Sequence, residues 1–117
     1  MKFKNNLTLG ILTISLGLFI NFSYIKPIDE YQVIDYPGAR ETIASSINSD
    51  GVIVGRYESY DSKTHGFKLY NGNFESVDIA SADFTMVRGL NDKGDMVGAF
   101  KPPKGPNTAY IFSIMAK

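Results

Sequence analysis

His65 is the only imidazole in a chain of 117 residues, so any Ser-His-Asp relay here has to be built on it. It stands at the expected start of a strand, which favours a structural side chain over a general base. Asp35 and Asp78 recur at matching places in two stretches of the chain. A hydrolytic carboxylate dyad forms if symmetry brings them together; more often such an Asp bonds the N–H groups of the turn that follows it. Asn48, Asp50 and Gly51 have the partial look of a calcium loop. No bidentate Glu follows at the right distance, however, and Lys93 replaces Asp50 in the matching stretch, so turn chemistry is the better reading. Tyr57, Tyr60, Tyr70 and Phe100 are the candidate ligand-binding rings, suited to stacking on a sugar, although alternating aromatics in a β protein are usually core. No catalytic residue, metal-ligand set or cofactor motif is expected from these types and spacings.

The elements that must position these residues are organised by a repeat. Ile47-Asn48-Ser49-Asp50-Gly51-Val52-Ile53-Val54-Gly55 is answered 43 positions later by Leu90-Asn91-Asp92-Lys93-Gly94-Asp95-Met96-Val97-Gly98, without a gap. Asn48, Gly51, Asn91 and Gly94 are the structural turn residues, since Asn and Gly tolerate left-handed backbone. Gly55 and Gly98 fall inside strands, where a missing side chain lets backbone or a large ring approach closely. Expected strands run over 31–36, 41–47, 52–58, 64–70, 73–79, 85–90, 95–100 and 108–114, and Asn71-Gly72 is the strongest hairpin signal. At the same spacing Tyr31 aligns with Phe74, Asp35 with Asp78, Tyr57 with Phe100, Phe67 with Tyr110 and Leu69 with Phe112. A 43-residue period fits four-stranded propeller blades. The expected fold is all-β: two four-stranded antiparallel blade-like repeats, about 31–73 and 74–117, with the strand at 31–36 closing the last repeat. Val54 and Val97 make the second strand of each unit apolar on both faces, as in a strand packed between layers.

Composition narrows the function classes. Lys+Arg and Asp+Glu balance at 12 each, so no basic surplus suggests a nucleic-acid partner. The absence of Cys excludes a disulfide framework, a thiolate metal site and a Cys nucleophile. Lys2 and Lys4 precede an uncharged, mostly apolar run from Leu7 to Phe22, the pattern of an export signal, with Ser23 the best residue before a cut. Residues 1–23 are therefore expected to be a signal peptide, or an uncleaved anchor giving the only membrane contact. The mature region then carries ten basic and twelve acidic residues.

Ile34-Asp35-Tyr36-Pro37-Gly38-Ala39, the stretch from Ile47 to Tyr57, and Thr64-His65-Gly66-Phe67 together resemble the HAF-repeat family of probable extracellular proteins. The family's repeats look like "IDxPGA…GINxxGxIVGxY…HGF", and the resemblance covers about residues 31–114. The second copy departs from it, with Ala80-Ser81 for Pro-Gly and Thr108-Ala109-Tyr110 for His-Gly-Phe. The resemblance implies export and a repeated β architecture, but no known activity and no catalytic residues.

The expected function is that of a secreted, extracellular or periplasmic, non-enzymatic module binding a glycan or a protein. Self-assembly into a homo-oligomer is the alternative. A hydrolase using Asp35 and Asp78 is the third.

Overall fold

A computed structural model describes residues 30–104 and 108–117. The expected export segment, 1–23, lies outside the described residues. Seven strands follow: β1 (Glu41–Ile47), β2 (Ile53–Glu58), β3 (Thr64–Tyr70), β4 (Asn73–Val77), β5 (Phe84–Leu90), β6 (Met96–Lys101) and β7 (Tyr110–Ile114). No helix occurs among the described residues. Turn residues set the boundaries. Asn71 and Gly72 take φ of 48° and 77°, both central positions positive as in the I′ turn that matches strand twist. Gly51 and Gly94, at φ 78° and 88°, close the turns after β1 and β5.

The strands form one mixed, open sheet, in the order β1-β2-β3-β5-β6-β7 with β4 also on β3. Its pairing divides it into two antiparallel meanders. β1 to β4 make the first, β5 to β7 the second, and a single parallel bridge, Thr64 to Phe84, joins them. Each meander has one aromatic face and one valine face. Tyr57, His65, Phe67 and Phe74 share the aromatic face of the first, and Val54, Gly66 and Val77 its valine face. In the second, Val87, Phe100, Tyr110 and Phe112 lie on the aromatic face and Val97 and Ile111 on the other.

The core is the junction of unlike faces. Val54 and Val77 from the first meander pack with Val87 and Phe112 from the second, flanked by Ile79, Leu90, Met96, Phe100 and Ile114. Gly66 admits this contact, because a Cβ there would stand 3.0 Å from a Val87 methyl and 2.5 Å from the Val77 carbonyl oxygen. Matching irregularities mark both meanders. The ladder shifts between Ala44 and Ser46 in one and between Val87 and Gly89 in the other, a bulge that sharpens local twist.

Three expectations are corrected. Residues 31–36 form no strand, and the sheet is left unclosed. Tyr36 is instead drawn onto the first meander, where its N–H bonds Thr42 Oγ1 at 3.0 Å and its ring stacks on Tyr57. The pairing of Phe67 with Tyr110 and Leu69 with Phe112 is out by two residues. Gly55 faces Phe67 and Gly98 faces Phe112, so the connection before β7 is two residues longer, and His65 corresponds to Tyr110. Finally, Val97 is not packed between layers: it is 48% exposed, whereas Val54 is fully buried.

That contrast makes a prediction. Val54→Ala removes two buried methyl-sized groups and should cost about 2 kcal/mol, while Val97→Ala in a single copy should change stability by less than about 0.5 kcal/mol. Urea unfolding of dilute protein checks it; equal losses would show that both valines are equally buried.

Candidate functional site

The polar cluster with the most chemical potential lies where the β2–β3 loop folds back on β3. Ser59 Oγ is 3.1 Å from His65 Nε2, and His65 Nδ1 is 3.1 Å from both oxygens of Asp78. Serine, Nε2, Nδ1 and carboxylate stand in the order of a nucleophilic relay. The loop makes this contact through a short turn in which the Ser59 N–H donates to the Lys63 carbonyl, the Ser62 N–H donates to the Ser59 carbonyl, and Ser62 takes φ 65°. Nothing in the spacing of Ser59 and His65 signals it, because the loop path decides which serine reaches the ring.

The hydrogen-bond directions favour a staple over a nucleophile. Ser59 Oγ also contacts the Asp61 carboxylate and the Lys63 carbonyl. The Ser59 hydroxyl holds the Asp61 carboxyl below its ordinary range, aided by the Lys63 N–H. An ionised Asp61 only accepts, so the single hydroxyl proton goes to it and not to His65 Nε2. A serine whose proton is already directed to Asp61 is not poised to pass it to a general base at His65. Tyr57 lies over the imidazole, centroids 4.9 Å apart, and closes one side of the ring.

The candidate ligand rings are not brought together as one platform. Tyr57 is held between Tyr36, stacked at 3.6 Å and 6°, and His65. Its hydroxyl is 2.6 Å from Ser76 Oγ, and burial pushes its pKa up to about 12. Phe100 packs on Tyr110 and Phe112 on the second meander. Tyr60 is 78% exposed on the loop. Tyr70, at the hairpin, lines a shallow groove with Lys68, Asn73, Phe74 and Glu75. Asp35 and Asp78 engage different partners, Thr42 Oγ1 at 3.4 Å for Asp35 and His65 for Asp78. Among the described residues no group of three or more acids and histidines is placed to hold a metal ion.

The Asn turns do meet. Asn48 Oδ1 accepts from the N–H groups of Asp50 and Val52, which fixes its own turn. Its amide nitrogen donates to the Asn91 carbonyl at 3.1 Å, and the Ser49 N–H donates to Asp92 Oδ1 at 2.9 Å. Asn91 sends its own amide back to Asp95 instead, and Asp95 Oδ1 accepts from the Ala116 N–H. Bonding from Ser49 lowers the pKa of Asp92, and bonding from Asn91 lowers that of Asp95. Folded values below the ordinary 3.8 mean that this stabilisation is present above about pH 4 and is lost as pH falls through the depressed values. Stability should therefore drop as pH falls below about 4. Asp92→Asn keeps an acceptor for Ser49 without the titration, so it should flatten part of that slope in urea midpoints; an unchanged slope would remove Asp92 from the explanation.

Comparison with family models, with curated proteins and with solved structures gives no match for this chain.

Proposed function

We propose that this chain is an exported, non-enzymatic interaction module made of two blade-like units, related to the HAF repeats. The observation that carries the reading is the junction of unlike faces: the valine face of one meander covers the aromatic face of the next. Such head-to-tail packing has no natural end within two units, and so it leaves a face for association at each side. Val97 and Ile111 stand on one open face, 48% and 86% exposed, at the positions that Val54 and Gly66 bury in the first unit.

A protein partner fits these features better than a glycan. A sugar stacks on a free ring face, and both faces of Tyr57 are occupied by Tyr36 and His65; among the four candidate rings, Tyr60 and Tyr70 remain exposed. Sedimentation velocity on the exported protein over a range of concentrations tests the reading. Association is expected, and Val97→Asp should abolish it without changing the melting temperature of the dilute, single-copy protein. Retention on a glycan array by a chain that stays a single copy would reject the protein partner in favour of the glycan.

The relay of Ser59, His65 and Asp78 supports a second reading, a serine hydrolase. The staple account expects no labelling of Ser59 by a fluorophosphonate probe, and it expects His65→Ala to lower the melting temperature by a few degrees. Stoichiometric labelling at Ser59 would establish the hydrolase.

A further inference from the structure

We infer that β7 takes its missing neighbour from a second copy of this chain: residues 30–34 of one copy lie antiparallel along β7 of another, in the register that β4 holds on β3. This rests on the two-unit reading, because it treats β4 as the pattern for the strand the second meander lacks. Among the described residues β7 pairs with β6 alone, so its other edge presents unpaired backbone groups. Subtracting the 43-residue spacing from β4 leads to residues 30–34, just ahead of Tyr36. Tyr36 is fixed on the aromatic face of the first meander, whereas the second meander covers the valine face. Tyr36, which follows the segment, is thus held on the face of its meander that the second meander does not cover, and a neighbouring copy is the natural acceptor of the strand.

Side-chain chemistry matches position by position, and it changes on both strands together. In the first unit Tyr57 Oη bonds Ser76 Oγ at 2.6 Å. The corresponding residues are Phe100 and Val33, and both hydroxyls are gone at once. Lys68 and Glu75 form a cross-strand ion pair at 4.0 Å. Their counterparts are Ser113 and Gln32, both uncharged. His65 and Asp78 are joined at 3.1 Å; their counterparts Tyr110 and Asp35 again supply a donor and a carboxylate. On the flank, Gly66 makes room for Val87 in the first unit, whereas a bulky Ile111 in the second would meet the small Ala44 of the incoming copy. Had the second edge been meant for solvent, Val33 at 77% and Ile111 at 86% exposure would carry no such pairing.

The arrangement is β-strand addition between copies, with each copy giving a strand at one end and receiving one at the other. Because donor and acceptor sites differ, the exchange is reciprocal in a two-copy assembly and head to tail in any larger one.

The chain has no cysteine, so an introduced pair reports cleanly. Val77 and Gly66 are direct partners in the β3–β4 ladder, and Ile34 and Ile111 are their counterparts. The full chain carrying Ile34→Cys and Ile111→Cys, expressed with export and oxidised, should run as linked dimer or trimer on a non-reducing gel. Either single variant should not link, and adding Val33→Asp should prevent linking. A double-cysteine chain that stays unlinked, or that links equally well with Val33→Asp, overturns the inference. A second measurement covers a folding defect in the cysteine pair. Val33→Asp and Ile111→Asp lie at exposed positions, so each should keep the thermal transition while reducing the sedimenting species to one copy. Association that survives both variants ends the strand exchange but leaves an interaction module. A parent chain that is a single copy at every concentration ends both.

Discussion

Gly55→Ala should abolish stable folding, with an expected loss of about 4 kcal/mol or more. A Cβ at Gly55 would stand 2.0 Å from the Ile43 carbonyl oxygen, 2.9 Å from the Ala44 Cα and 2.9 Å from a Phe67 ring carbon. Two of those neighbours are backbone of the adjacent strand, so relief requires breaking the β1–β2 ladder at its bulge. Gly98→Ala should behave alike, since its Cβ would stand 2.0 Å from the Met86 carbonyl oxygen and 2.7 Å from a Phe112 ring carbon. Gly51→Ala is the control. It has open space around it but φ 78°, so it should cost only about 1–2 kcal/mol of left-handed strain. Urea unfolding of the three variants separates the cases; a Gly55→Ala protein of near-parental stability would contradict the packing described for β1 and β2.

Phe67→Ala carries the second largest effect, about 3–5 kcal/mol. The ring is fully buried in β3 and makes an edge contact with Phe74 at 5.5 Å and a tilted one with Tyr36 at 6.4 Å. Its removal leaves a void beneath the stack of Tyr36 on Tyr57, so the near-ultraviolet dichroism of the tyrosines should weaken along with the stability. Tyr60→Ala, on an exposed loop, should leave both unchanged. A Phe67→Ala protein that retains the tyrosine signal would show that the stack does not depend on the ring below it.

Most of the strand boundaries are readable from local chemistry, because Asn-Gly and the Asn-x-x-Gly turns impose positive φ wherever the chain goes next. The in-strand glycines are readable for the same reason: only close approach explains them, and the neighbours are indeed a carbonyl and a phenylalanine ring at both positions. The register of β7 is a different matter. A slip of two residues along a strand keeps every side chain on its original face. Tyr110 and Phe112 are therefore both acceptable aromatic answers to Phe67, and only the ladder with β6 decides between them. Residues 31–36 show why alternation alone does not make a strand. The pattern is present, but a strand also needs an edge to pair with, and Tyr36 is committed to Thr42 and Tyr57. The contact of Ser59 with His65 is hidden for a further reason, since it depends on how the Asp61 turn curls rather than on spacing.

On this view the polar cluster around His65 holds a loop in place, and the chemistry of the molecule lies in its unfinished edge. The proposed strand exchange occupies the outer edge of β7 in the working protein. Amide hydrogen exchange reads that edge residue by residue. In concentrated protein, the β7 amides that do not bond β6 should exchange as slowly as those of β3, which is paired on both sides; on dilution, or with Val33→Asp, they should become fast. Fast exchange along that edge at every concentration would leave β7 unpaired and rule out the exchanged strand.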